Sequence, residues 1–129
     1  MSLSQSLQVL VVDDHVTSRM LTIEALQSFQ INNITVAKNG KEAFGIAVNR
    51  NVHLIITDLY MPEVDGLQLL KALRTHKNTS RTGVIIITGS TDPAVLSKAR
   101  QLGANNVITK PFNTPQLKNA IEAVVGRLN

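Results

Sequence analysis

The chain has 129 residues, 43% of them apolar and 17% charged, with a formal charge of +4, which excludes a disordered segment and predicts one domain over 1–129 with its core at about 8–128. Zero cysteines exclude disulfide frameworks, zinc knuckles and thiol chemistry, and no apolar run approaches the roughly 20 residues that cross a bilayer. A cytoplasmic setting without a membrane partner is the expectation. The basic residues are dispersed from Arg19 to Arg127 with none adjacent, and one tyrosine with three phenylalanines gives no stacking platform, which argues against direct nucleic-acid binding.

Two kinds of segment alternate along the chain. The first apolar, β-branched run is Val9–Val12, followed by a helical period at Val16, Met20, Ile23 and Leu26. Ile34–Ala37 is the second run, and Asn39 with Glu42 reads as a capping box opening a helix that carries Ala43, Phe44 and Ala47. Leu54–Thr57 leads to a helix marked by Leu67, Leu70 and Leu73. Val84–Thr88 leads to one opened by Asp92 as N-cap and Pro93 at the first helical position. Val107–Thr109 comes last, before a helix begun at Asn113 or Thr114 beside Pro115 and carrying Leu117, Ile121, Val124, Val125 and Leu128. Continuous Val/Ile/Leu runs are the pattern of central strands buried on both faces. Five βα units in series predict an α/β, doubly wound (βα)5 fold: a three-layer sandwich with a parallel five-stranded sheet. Ligands in such folds bind beyond the carboxyl ends of the strands.

Polar residues with chemistry stand at those ends. The first run ends in Asp13-Asp14, the third in Asp58, the fourth in Thr88 and the fifth in Lys110. Taken singly, each has an ordinary reading: an Asp caps the next helix, Thr88-Gly89 makes a turn, Lys110-Pro111 is a solvated charge before a loop. Independent capping does not predict the whole set at alternating strand ends. Three neighbouring carboxylates repel by roughly 1 kcal/mol per pair in water and about 4 at an effective dielectric of 20. They call for a hard cation, Mg²⁺ or alternatively Mn²⁺, held by oxygen ligands. With Lys110 and the Thr88 hydroxyl, these are the parts that stabilise a phosphoryl group in transfer. Asp58 is the candidate acceptor of an acyl phosphate, Asp13 and Asp14 the metal-positioning pair.

The motifs Val11-Val12-Asp13-Asp14, Asp58-Leu59-Tyr60-Met61-Pro62 with Asp65-Gly66, Thr88-Gly89 and Lys110-Pro111-Phe112 resemble those of receiver domains of bacterial two-component response regulators, in particular the stand-alone chemotaxis kind. The resemblance runs from about Gln8 to Leu128. It implies a flavodoxin-like fold with strand order 2-1-3-4-5. It also implies a phosphoacceptor at Asp58, served by a sensor histidine kinase or histidine phosphotransfer protein, and no turnover of a separate substrate. Mg²⁺ would be held by Asp13, Asp58 and the Tyr60 main-chain carbonyl, with Asp14 acting mainly through a metal water, and Lys110-Pro111 would be cis. Phosphorylation would draw Thr88 inward with Gly89-Ser90-Thr91 and switch the surface made by the fourth helix, fifth strand and fifth helix. Lys98, Arg100, Lys118 and Arg127 on those helices predict an output protein with an acidic face.

Three positions depart from the family pattern. Val107 stands where an aromatic switch residue is usual, three residues before the lysine. Tyr60 and Ser90 leave no amide or carboxylate two residues after Asp58 or Thr88 to orient an attacking water. His15 follows the acidic pair, either as a softer ligand for Mn²⁺ or Zn²⁺ or as the first exposed residue of the loop. Rival readings are a docking module independent of phosphorylation, for which Val107 speaks, and a phosphohydrolase, which would need a general acid where Tyr60 stands. A flavin carrier is opposed by Asp13-Asp14, which would repel its phosphate.

Overall fold

The computed structural model describes residues 3–61 and 63–128, so Pro62 of the third motif lies outside the described residues. The strands are β1 (Gln8–Val12), β2 (Asn33–Ala37), β3 (Leu54–Asp58), β4 (Gly83–Thr88) and β5 (Asn106–Thr109). They form one parallel sheet in the order β2-β1-β3-β4-β5. The helices are α1 (Leu3–Ser6), α2 (Val16–Ser28), α3 (Gly40–Asn49), α4 (Gly66–Thr75), α5 (Pro93–Gln101) and α6 (Thr114–Val125). The single turn α1 has no counterpart in the sequence pattern, being too short to show a period, and the five helices expected from that pattern are α2 to α6. No helix among the described residues is long and apolar enough to cross a membrane.

The period-two alternation of the central strands divides the core in two. Val9 and Val11 of β1, Leu54 and Ile56 of β3, and Ile85 and Ile87 of β4 pack with Leu26, Leu117 and Ile121, under α2 and α6. Leu10, Val12, Ile55, Val84 and Ile86 face the other way, under α3, α4 and α5 through Ala43, Ala47, Leu69, Leu70, Leu73 and Ala99. The sheet is therefore covered on both sides, and the strand order reverses between β1 and β3, where doubly wound folds open a crevice. The ladder continues past two strand ends: the Asp13 amide donates to the Ala37 carbonyl, and the Lys110 amide to the Thr88 carbonyl. Asp13, Asp58 and Lys110 each lie two residues beyond an inward-facing member of the α2/α6 row (Val11, Ile56, Ile108), so the pleat alone directs the three to one side.

Local chemistry sets the helix starts. Asn113 and Gln116 form a reciprocal capping box at α6, and Asp92 accepts from the Ala94 amide with Pro93 in the first turn of α5. Three expectations are corrected. At α3 only one limb of the box forms, Asn39 accepting from the Glu42 amide at 2.8 Å. In α2 the period is helical but the buried face is set by Thr22, Ala25 and Leu26; Val16 and Met20 are exposed, together with Leu21. Apolar residues surround this helix, so spacing alone did not fix which side meets the sheet. Finally, α6 stops at Val125 because Gly126 turns the chain at φ 98°; Leu128 is buried outside the helix, its amide donating to Glu122 Oε2 at 3.0 Å.

Candidate functional site

At the crevice, the side chains of Asp13 and Asp58 are buried and that of Asp14 is partly so. Asp58 Oδ1 accepts from the Leu59 amide at 2.7 Å, and Oδ2 lies 3.3 Å from Lys110 Nζ. Asp13 Oδ1 accepts from the His15 amide at 2.9 Å, while its Oδ2 lies 4.0 Å from the same ammonium. Three chain segments, at the ends of β1, β3 and β5, thus meet around one small volume.

The loop after β3 is shaped by α4. Asp65 and Gln68 close a capping box, and the Gly66 amide donates to the Leu59 carbonyl at 2.8 Å. A Cβ on Gly66 would stand 2.5 Å from the Asp58 carbonyl oxygen and 2.9 Å from Leu59 Cα. Glycine is required there because the helix and the Asp58-Leu59 backbone touch. The Asp65-Gly66 motif is therefore a support beneath Asp58.

Two contributors had no signal in the strand-end pattern. Ser18, in the first turn of α2, accepts a hydrogen bond from Lys110 Nζ at 3.0 Å. Arg19 donates from Nη1 to the Asp13 carbonyl at 3.0 Å, fixing the loop between β1 and α2. A helix that starts immediately after the acidic pair turns its opening residues back to that pair, which is the cue that could have found both.

The donor set fits a divalent cation. Three carboxylates against one ammonium leave two negative charges in excess, in a partly desolvated pocket. Asp14 Oδ1 is buried and accepts no hydrogen bond, although His15 Nδ1 lies 3.1 Å away. A buried acceptor left without a partner costs on the order of 1–3 kcal/mol, more when charged, and a cation removes that cost.

The remaining site residues lie at the same edge. Thr88 is buried and its hydroxyl accepts from the Ser90 amide at 3.1 Å; Ser90 Oγ in turn accepts from the Asp92 amide at 3.2 Å, at the start of α5. A Cβ on Gly89 would meet nothing within 4 Å, so this glycine is not demanded by packing. Tyr60, two residues after Asp58, is exposed, and Val107 is half-buried against the α3/α4/α5 side of the core. The Lys110-Pro111 peptide is cis.

Residues 9–122 match the family model of the response regulator receiver domain. With the strand order and the acidic pocket above, the chain belongs to that family: it is a receiver domain of two-component signalling. Within the family it is similar to single-domain chemotaxis regulators. It is 44% identical over 128 residues to the "Probable chemotaxis protein CheY" of Rhizobium etli, covering 99% of both chains. It is 34% identical over 121 residues to chemotaxis protein CheY1 of Helicobacter pylori strain 26695, covering 93% of this chain and 98% of that one. The chemotaxis response regulator CheY4 of Vibrio cholerae matches with a TM-score of 0.83 at 29% identity, over 92% of this chain and 98% of that one. The receiver domain of the sensor histidine kinase PA1611 of Pseudomonas aeruginosa, which holds a magnesium ion in its active-site cleft, shares the fold with a TM-score of 0.86 at 22% identity, over 94% and 98%.

Proposed function

We propose that this chain, as one receiver unit over about 8–128, accepts a phosphoryl group on Asp58. The donor is a phosphohistidine of a sensor histidine kinase or histidine phosphotransfer protein. The observation that carries the reading is the division of labour on Asp58: Oδ1 is held by the Leu59 amide, while Oδ2 faces the Lys110 ammonium at 3.3 Å. One oxygen is fixed and the other is free to act as nucleophile beside a positive charge. Oδ2 attacks phosphorus, the P–N bond breaks, and the imidazole leaves with the electron pair. Lys110 then pairs with a phosphoryl oxygen, which charge-assisted hydrogen bonding favours.

Asp13, Asp58 and the Tyr60 carbonyl would hold Mg²⁺, with Asp14 acting through a water; when bound, the ion offsets the negative charge that accumulates on the phosphoryl oxygens. Thr88 can accept from Ser90 and still donate its own proton to a phosphoryl oxygen. Its movement pulls on Gly89–Thr91 and hence on the start of α5. The phosphoryl group ends on the protein's own side chain, so the chain is a switch in a cytoplasmic relay and not a turnover enzyme on a separate substrate. Exposed Leu21 lines a groove between α2 and the loop after β5, which also reaches Ser18 and Lys110, and Val16 and Met20 are exposed on the same helix; these support docking of a donor next to the pocket.

Intact-mass measurement after incubation with acetyl phosphate tests this. A Mg²⁺-dependent gain of one phosphoryl group in the wild type, absent in Asp58→Asn, is expected. A folded protein that gains nothing from acetyl phosphate or from a cognate kinase would instead be a docking module.

A further inference from the structure

His15 combines both readings that the sequence left open. Its side chain is 66% exposed, yet Nδ1 turns inward, 3.4 Å from Asp13 Oδ1, 3.1 Å from Asp14 Oδ1 and 3.9 Å from Asp58 Oδ2. The ligand atoms that Asp13, Asp14, His15 and Asp58 offer lie within 4.8 Å of one another. Tetrahedral Zn²⁺ with bonds of about 2.0–2.1 Å sets neighbouring ligand atoms roughly 3.4 Å apart. The imidazole is therefore already near the separation such an ion imposes from Asp13 and Asp14, and Asp58 would have to close by about half an ångström. The other two histidines use Nδ1 locally, His53 accepting from the Gln8 amide and His76 from the Asn78 amide.

We propose that His15 makes the acidic pocket a second kind of metal site, binding Zn²⁺ and related borderline ions such as Co²⁺ through one imidazole nitrogen and three carboxylate oxygens. The inference shares the pocket with the phosphoacceptor reading but does not depend on phosphoryl transfer. Mg²⁺ prefers six oxygen ligands, keeps several waters and gains little from imidazole, so it leaves His15 outside its shell. A borderline ion gains from nitrogen and reaches four-coordination with side chains alone. Such a site is closed: no position is left for a phosphoryl oxygen, and Asp58 is engaged as a ligand. Zn²⁺ would then oppose phosphorylation where Mg²⁺ supports it, and His15 would decide how strongly.

The test is metal binding to the metal-free protein, followed by competition with a chromophoric chelator for Zn²⁺ and by calorimetry for Mg²⁺. His15→Ala is a clean variant, because His15 is the N-cap of α2 but its side chain makes no capping bond. Loss of even an outer-shell partner commonly weakens a metal site 10–100-fold, so His15→Ala should weaken Zn²⁺ binding by roughly tenfold or more while leaving Mg²⁺ affinity within about twofold. Co²⁺ should give the intense visible absorption of a tetrahedral site in the wild type and not in the variant. Unchanged Zn²⁺ affinity, equal losses for both metals, or the same Co²⁺ spectrum in both proteins would overturn the proposal. The acetyl phosphate reaction with Mg²⁺ separates the two readings: failure there with His15-dependent Zn²⁺ binding intact removes phosphotransfer and leaves the metal site standing.

Discussion

Tyr60, two residues beyond Asp58, is 57% exposed, and Ser90 Oγ is engaged with the Asp92 amide. Neither place offers an amide or carboxylate to hold a water in line with the phosphorus, so hydrolysis of the acyl phosphate lacks a positioning group. A phosphoryl group on Asp58 would stand two residues from this tyrosine, whose ring is large enough to screen it from water as a smaller residue would not. The acyl phosphate should therefore persist for minutes or longer with Mg²⁺ present, and Tyr60→Ala should shorten its lifetime several-fold, as followed by decay of the phosphorylated mass. A lifetime of seconds that the substitution leaves alone would contradict this role. The carboxylates and the lysine were legible in the sequence because strand ends in a doubly wound sheet converge. Ser18 and Arg19 were not, because their parts depend on how α2 turns back on the loop, and neither residue type signals that by itself.

Arg74 ties three elements together at the end of α4. Its guanidinium donates to the carbonyls of Gly103, Ser80 and Thr82 and to Asn105 Oδ1, at 2.7–3.2 Å. Burial lowers its pKa, no carboxylate among the described residues pairs with it, and the carbonyl oxygens supply the solvation instead. Gly103 has φ 107°, and a Cβ there would stand 2.9 Å from Arg74 Nε, so the turn and the arginine fit as a pair. Arg74→Ala should cost about 2–3 kcal/mol, since it strands several carbonyls at once. Arg74→Lys should recover little of that, because one ammonium cannot reproduce the planar fork. Urea unfolding, read as a lower midpoint at unchanged slope, checks both; a loss within about 0.5 kcal/mol for Arg74→Ala would refute the clamp.

This clamp was invisible in the sequence, as was the exposed side of α2, for the same reason: both are long-range arrangements with no local period. The five strands were legible to within a residue at each end because they are uninterrupted β-branched runs bounded by polar residues. The last helix was read too long because Leu128 keeps the spacing of a helical face, although Gly126 has already turned the chain.

Across the whole molecule, a phosphoryl group would add about −1.5 to −2 charge at the carboxyl edge, with Thr88 and the loop into α5 as the moving part. Val107 in β5 cannot follow as an aromatic ring would. Driving a two-state surface from 1:99 to 99:1 requires ~5.5 kcal/mol of differential stabilisation, so a partial shift completed by the output partner fits this chain better. Lys98 and Arg100 on α5 and Arg127 after α6 are exposed, with Lys118 on α6 half-buried, and they favour a partner with an acidic face. Affinity for that partner should fall as salt rises from 0.05 to 0.5 M, roughly the range over which screening removes exposed attractions; salt-independent affinity would count against the charge argument. The most direct test of the central claim is to locate the phosphoryl group. Borohydride reduction of the acyl phosphate converts an aspartyl phosphate to homoserine, and peptide mass mapping reads its position. Homoserine at position 58 alone is the predicted result, and homoserine at 13 or 14, or none in a protein that has gained the phosphoryl mass, would contradict it.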